Sequence, residues 1–266
     1  EFFMENPRSQ LVDLGCHVGV YTLFAASMAK PVLAMDILPS NLALIQLSIA
    51  VNDENMARSK SDDEDIDNLL GYSKKAYPKY SNLITTVHNA IYSKHAKMYV
   101  YLKDDLNLGG TEVKELNIHE NKQQLQIKDM DNTKENLRDE DQGITYQQNS
   151  PNTETNGTKI LIDAICLDDL IPYIQANLSI FLKMDIEGSE PDVFLCASKF
   201  FMYVDIRVIL MEILFHRYSK QGKTMANFLF RHHMVPSEDV NGRKLLDTDL
   251  NNMYKWPENL FWIKVR

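Results

Sequence analysis

The chain has 266 residues, 44% of them hydrophobic and 24% charged, with a formal net charge of −9. That length and apolar content suffice for one sizeable core. No stretch approaches the ~20 consecutive apolar residues of a membrane-spanning helix, and no basic stripe suited to a polyanion is present. Neither a membrane segment in this chain nor a nucleic-acid partner is therefore expected. The chain opens at Glu1 and is soon strand-like, so its natural N-terminus, with any signal or anchor, is expected upstream.

Taken in chain order, the apolar pattern alternates between strand and helix. Residues 10–14 form a short apolar run that closes on Gly15. Val20, Leu23, Phe24 and Met28 then fall at helical spacing. A second run, 32–35, is closed by Asp36, and Pro39 opens a helix with Leu42, Ile45 and Ile49 on its inner face. Strands are expected at 83–87, 97–102 and 159–165. A further strand at 180–186 ends in Asp185 and Gly188, and a helix is expected at 191–197. A strongly apolar strand at 206–214 carries Glu212, a helix follows at 223–232, and a last strand at 259–265. Such alternation predicts an α/β protein: a Rossmann-like, doubly wound, mostly parallel sheet covered on both faces.

Two stretches break the pattern. Residues 53–82 hold 7 acidic and 5 basic side chains without an apolar period. Residues 103–158 hold 12 acidic and 6 basic ones and few large apolar residues. Together they account for −8 of the −9, and neither has the apolar surface to offset its ordering entropy. Both are expected to be disordered polar insertions in surface loops, open to unknown protein partners. What remains, roughly 180 residues, is a reasonable size for a single domain. Cys16, Cys166 and Cys196 are odd in number and widely spaced, with no C-x-x-C pair. They are expected to be small buried thiols, which suits a reducing, cytoplasmic setting. His232 and His233 lack the i, i+4 spacing of a ligand pair, and no metal site is expected.

Three places carry chemistry. The first is D-L-G-C-H-V-G, residues 13–19, between a strand and a helix. A glycine directly after a strand permits a sharp turn and a close ligand, and the helix that follows turns its N–H groups toward an anion. A dinucleotide fingerprint would read G-x-G-x-x-G. Here Gly15 and Gly19 stand four apart, with His17 where the middle glycine belongs. The spacing argues against a pyrophosphate and suits a smaller carboxylate. The second is Asp36, 21 residues after Gly15, where Rossmann-type folds place an acid for ribose hydroxyls. The third is K-M-D-I-E-G-S-E, residues 183–190. Asp13, Asp36, Asp185 and Glu212 all lie at strand carboxyl ends, so four carboxylates are expected to converge on one crevice. Glu190 and Asp192 read as helix N-terminal acids that complement the dipole.

The blocks L-V-D-L-G-C-H-V-G-V-Y-T, M-D-I-L-P-S-N, H-N-A-I-Y-S, L-D-D-L-I, L-K-M-D-I-E-G-S-E-P-D-V-F and I-L-M-E-I resemble, in order, those of the FkbM-type methyltransferases. The likeness covers residues 10–212 and continues weakly to 265; its most specific block is 185–190. It implies the class I methyltransferase fold, S-adenosylmethionine as cofactor, and a hydroxyl on a sugar or other small polyhydroxylated molecule as acceptor. Asp13, Gly15, Cys16, His17 and Gly19 match the donor loop, Asp36 the ribose acid, and Asn89 and Ala90 the block near the adenine. The family more often has Glu directly before a proline where this chain has Asp36, with Ile37 and Leu38 ahead of Pro39. The 103–158 insertion lies outside the family pattern. For methyl transfer to oxygen a base helps, and Asp185, Glu187 and Glu212 are the catalytic candidates, with His216 and His17 behind them. Methylation of nitrogen or of a protein, and a non-catalytic donor-binding scaffold, are the alternatives.

Overall fold

The computed structural model describes residues 1–70, 78–101, 112–115 and 159–265. Its main sheet holds β1 (Ser9–Leu14), β2 (Val32–Asp36), β3 (Ile84–His88), β8 (Ser179–Met184), β9 (Ile206–Glu212), β10 (Met234–Ser237) and β11 (Asn259–Lys264). Their order is β3-β2-β1-β8-β9-β11-β10. The first five run parallel, and β11 is antiparallel to both β9 and β10. This is the expected Rossmann-like, doubly wound, mostly parallel sheet. The strand order reverses between β1 and β8, which makes the carboxyl ends of those two strands the switch point where such sheets bind ligands.

Every residue of β1 and β2 is buried, as a parallel sheet covered on both sides requires. Side chains along each strand alternate between the faces. Val12, Leu14, Leu33, Met35, Ile180, Leu182 and Met184 belong to one apolar cluster. Leu11, Val32, Ala34 and Phe181 belong to the other, together with Ala25 and Ala26 of α2 (Val20–Ser27) and Ile45 of α3 (Pro39–Leu70). By the same alternation, Asp13 and Lys183 point into the second face among apolar neighbours. A short α1 (Phe2–Glu5) lays Phe2 against Phe181, ring centroids 5.3 Å apart.

Several expectations change. The helix expected at 191–197 is one turn, α4 (Glu190–Val193), then a 3₁₀ turn, Phe194–Cys196. After a break at Ala197 (φ −132°) comes α5 (Ser198–Tyr203). α6 (Lys220–Arg231) begins earlier than expected because the Ser219 hydroxyl caps it, accepting from Gly222 N–H at 2.9 Å. α3 continues to Leu70, through the first part of the 53–82 stretch taken for a disordered loop. A helix already nucleated on a packed half extends at low cost, and good helix formers such as Met56, Ala57 and Lys60 follow. Asp53 also anchors the return, accepting from Tyr80 N–H at 2.6 Å and Ser81 N–H at 3.3 Å. Residues 71–77 of that stretch lie outside the described residues.

The chain divides into two compact units, residues 1–96 with 162–266, and residues 97–161. In the first, β4 (Ala90–Ile91) pairs in parallel with the end of β7 (Lys159–Ile165). In the second, β5 (Ala96–Tyr101) pairs antiparallel with β6 (Glu112–Glu115). The strand at 112–115 falls inside the expected 103–158 insertion; the rest of that insertion lies outside the described residues. No helix among the described residues is long and apolar enough to cross a membrane.

Cys166 and Cys196 are joined by a disulfide, which corrects the reading of isolated reduced thiols; Cys16 alone remains free and buried. Spacing concealed the pair because a 3₁₀ stretch, Leu167–Tyr173, and the turn after α4 bring together residues 30 apart in sequence. Disulfides persist where thiols are not kept reduced, so the pairing removes the thiol-based case for a reducing setting. Closing a 30-residue loop lowers the unfolded chain's entropy by about 3–4 kcal/mol at 25 °C. Cys166→Ser, or a strong reductant on the wild type, should therefore lower the melting temperature by roughly 7–14 °C. An unchanged melting curve under reductant would show that the bond does not form.

Candidate active site

The chain leaves β1 and turns at Gly15 (φ +72°), whose N–H, like that of Cys16, donates to the Met35 carbonyl at 3.0 Å. A Cβ at Gly15 would lie 1.9 Å from the Asp185 carbonyl oxygen. The glycine is thus required first by the neighbouring strand end, a reason beyond the sharp turn and the close ligand that the sequence suggested. His17 (φ +50°) and Gly19 (φ +84°) are also left-handed, and a Cβ at Gly19 would press on Ile45 at 2.7 Å. Gly19 caps α2 without any side-chain hydrogen bond. Among the described residues no N-cap side chain occupies the first-turn N–H groups of α2, which leaves them suited to an anion.

Asp36, buried at the end of β2, holds this loop. Its Oδ2 accepts from His17 N–H at 2.7 Å; its Oδ1 accepts from Leu38 N–H at 2.8 Å and Asn41 Nδ2 at 3.0 Å. Oδ1 is fully used by these bonds, and Oδ2 keeps one lone pair. Asp13 is wholly buried, accepts from the Thr22 hydroxyl at 2.7 Å, and has Lys183 Nζ 3.6 Å from its other oxygen. Burial pushes its carboxyl up from the ordinary range, against the opposing pull of Lys183 and Thr22. Burial, then Asp13 and Asp36, drives the Cys16 thiol upward as well, so that it stays protonated and inert.

The acidic row lies at the ends of β8 and β9. Asp185 is exposed, with Lys183 Nζ 3.5 Å from its carboxylate. Glu187 is left-handed (φ +56°) and precedes Gly188 (φ +93°). Burial raises the Glu187 carboxyl, helped by Asp185 and Glu190, while Lys183 and His17 work against the rise. Glu212 is raised by burial and then by Asp185, Glu190, Glu187 and Glu258. β8 and β9 pair in register up to Met184↔Met211, so Asp185 and Glu212 stand at adjacent strand ends and Glu187 follows Asp185 by two residues. β2, β1, β8 and β9 are consecutive in the sheet, so Asp36, Asp13, Asp185 and Glu212 do line one edge, although Asp13 points into the core beneath it.

Glu190 is a buried anchor as well as a helix N-terminal acid. Its Oε1 accepts from Ile186 N–H at 3.0 Å, and its Oε2 lies 2.8 Å from His216 Nε2. His216 is itself buried in this pair, which removes it as a base. Asn89 Nδ2 donates to the Asp163 carbonyl at 3.0 Å, and Ala90 is buried in β4. The His232 ring packs at a tilt against Phe228 and Phe201, ring centroids 4.5 and 4.9 Å away. Among the described residues, His95, Cys166 and Asp169 bring donor atoms within 4.8 Å of one another. The sulfur is committed to the disulfide, and His95 Nε2 lies 2.6 Å from Asp169 Oδ2. Sequence reasoning passed over Lys183, Thr22, Asn41 and Glu258. For Lys183 a signal existed: a cation inside an otherwise buried apolar strand.

Residues 13–237 match the family described as the methyltransferase FkbM domain. A structural likeness exists to the crystal structure of the methyltransferase FkbM from Methylobacillus flagellatus KT, with a TM-score of 0.45 and 14% identity over 96% of this chain. The chain spans 43% of that protein's length. No curated protein matches the sequence.

Two outcomes follow from this geometry. Gly15→Ala drives a Cβ into the Asp185 backbone at a positive φ, and should cost at least about 2 kcal/mol, read as a fall in melting temperature with weakened donor binding. Glu212→Gln removes one of several repelling carboxylates. A carboxyl raised in the folded state contributes its full share to stability below the ordinary glutamate value of 4.5 and loses it as pH rises through the raised value. The variant should therefore melt roughly 1–3 °C above wild type near pH 7.5, with the difference vanishing below pH 4.5. A difference that persisted in acid would show that repulsion is not its source.

Proposed function

The chain belongs to the FkbM methyltransferase family, and on that premise we propose that it transfers a methyl group from S-adenosylmethionine to a hydroxyl of a sugar or similar polyhydroxylated acceptor. The observation that carries the reading is the register of β8 and β9, which brings the ends that bear Asp185, Glu187 and Glu212 side by side at the switch point, one strand over from the glycine turn that opens α2. The residues present suit the donor. The first turn of α2 offers N–H groups to its carboxylate, the Gly15–Gly19 loop exposes backbone, and Asp36 retains one lone pair for a ribose hydroxyl. Asn89 is the candidate on the adenine side. The donor supplies an electrophilic methyl group on a sulfonium.

The chain's own residues do the remaining work. Carboxylates accept hydrogen bonds from sugar hydroxyls, and Tyr21 and Phe215 offer exposed rings beside them. The Phe215 ring is 4.0 Å from where a Gly188 Cβ would stand, and the Tyr21 ring centroid lies 5.9 Å from Lys183 Nζ. As the acceptor oxygen bonded the methyl carbon and the methyl–sulfur bond broke to leave a neutral thioether, the hydroxyl proton would pass to Glu187 or Glu212. Burial and like charge raise both carboxyls and so strengthen them as bases. Asp185 orients the hydroxyl. Crowded negative charge also suits a cationic acceptor, and that favours amine methylation as the second reading.

A screen of hydroxylated glycans and of amines with labelled donor separates the two. Once an acceptor is known, whichever of Glu187→Gln and Glu212→Gln removes the base should lower the single-turnover rate by roughly 10²–10⁴-fold, Asp185→Asn should lower it by less, and all three should leave donor affinity nearly unchanged. Asp36→Ala should weaken donor binding by roughly ten- to a hundredfold. Wild-type protein that shows no heat of S-adenosylmethionine binding would end this reading.

A further inference from the structure

We propose that Lys183 is a positioning residue of the transfer site, its ammonium tying the glycine loop after β1 to the acidic row after β8. The inference rests on the crevice being the donor site. β1 and β8 pair so that Asp13 stands directly beside Lys183, and both side chains enter the same face. The ammonium is buried and reaches three oxygens. It donates to the Gly15 carbonyl at 2.6 Å and lies 3.6 Å from Asp13 Oδ1 and 3.5 Å from Asp185 Oδ2. Lys183 is the one charged residue in β8, whose other side chains are apolar apart from the opening Ser179. A lone ammonium there would be strongly disfavoured, so its partners fix where it sits.

Each contact has a separate consequence. Asp13 Oδ1 has no hydrogen bond, and the Lys183 charge is what compensates it. The Gly15 carbonyl belongs to the turn whose N–H groups are held by Met35, so Lys183 completes the anchoring of that turn from the side of β8. Asp185 is half exposed at 48% of its side chain and would swing freely without an attachment at its base. A compact ammonium can serve all three oxygens at once. The planar guanidinium of arginine is longer and presents a rigid fork, so charge alone does not meet the requirement.

The experiment uses the full chain and four variants: Lys183→Met, Lys183→Arg, Asp13→Asn and Asp13→Asn with Lys183→Met. Each is measured by melting temperature, by S-adenosylmethionine titration, and by hydrogen exchange of the amides of residues 15–19. Lys183→Met should weaken donor binding at least about tenfold and speed loop exchange by a similar factor, a loss comparable to removing a hydrogen bond to a charged group. The double variant carries no unpaired buried charge, so it should recover melting temperature but neither donor affinity nor loop protection. Lys183→Arg should stay close to the wild-type melting temperature and still bind donor weakly. Recovery of affinity and protection in the double variant would overturn the proposal, leaving Lys183 as only a counter-ion to Asp13. Wild-type affinity in Lys183→Arg would overturn it too, and that variant decides the matter if Lys183→Met does not fold. If the wild type bound no donor while the exchange changes appeared as expected, the donor assignment would fail and the tether would stand.

Discussion

The turn at Gly15 lies so close to the Asp185 backbone that no β-carbon fits between them, and the rest of the site follows from that contact. It exists because β1 and β8 run side by side in register from Ser9↔Ser179 to Leu14↔Met184. Two loops that leave adjacent parallel strands at the same level must share one space. One loop brings the N–H groups of α2 and the other brings Asp185 and Glu187. A donor held on the first, as proposed, would thereby lie beside the carboxylates of the second. Proximity of this kind is most of what a transfer between two bound partners requires.

The acidic loop could not hold its shape alone. Glu187 and Gly188 are both left-handed, and for a glutamate that conformation is strained. The compensation lies underneath. Glu190 accepts the Ile186 N–H and pairs with His216, so the loop is fastened to the start of the segment leading to α6. Beyond α4, Cys196 is fastened to Cys166. The short helix after the acidic block is thus held at both ends.

Gathering carboxylates at one edge costs stability. Burial and like charge raise both Glu187 and Glu212, so each is less comfortable ionised in the folded chain than in the unfolded one. A site selected for stability would place cations among them. Lys183 is the buried cation that reaches this row, and it is shared with Asp13 and a carbonyl. The unbalanced charge is the form expected of a site whose chemistry needs a base.

The sequence by itself determined most strands of the main sheet and the polar residues at their ends. Runs of β-formers closed by Gly15, Asp36 and Asp185 marked the strand ends, and alternation of strands with helices left a doubly wound sheet as the natural solution. Both are local properties, set by side-chain type and short spacing. Tertiary structure decided which of these residues touch. Cys166 and Cys196 carried no pairing signal across 30 positions. His216 looked like a candidate base until its partner, Glu190, arrived from another loop. Asp36 read as a ligand for ribose, and its first partners are the loop's own N–H groups. Lys183 drew no notice in the sequence, and the register places Asp13 beside it. Strand order and register arise from the packing of the whole core, and no short window of sequence contains them. Whether a polar side chain is a free reagent or a fastening depends on them alone.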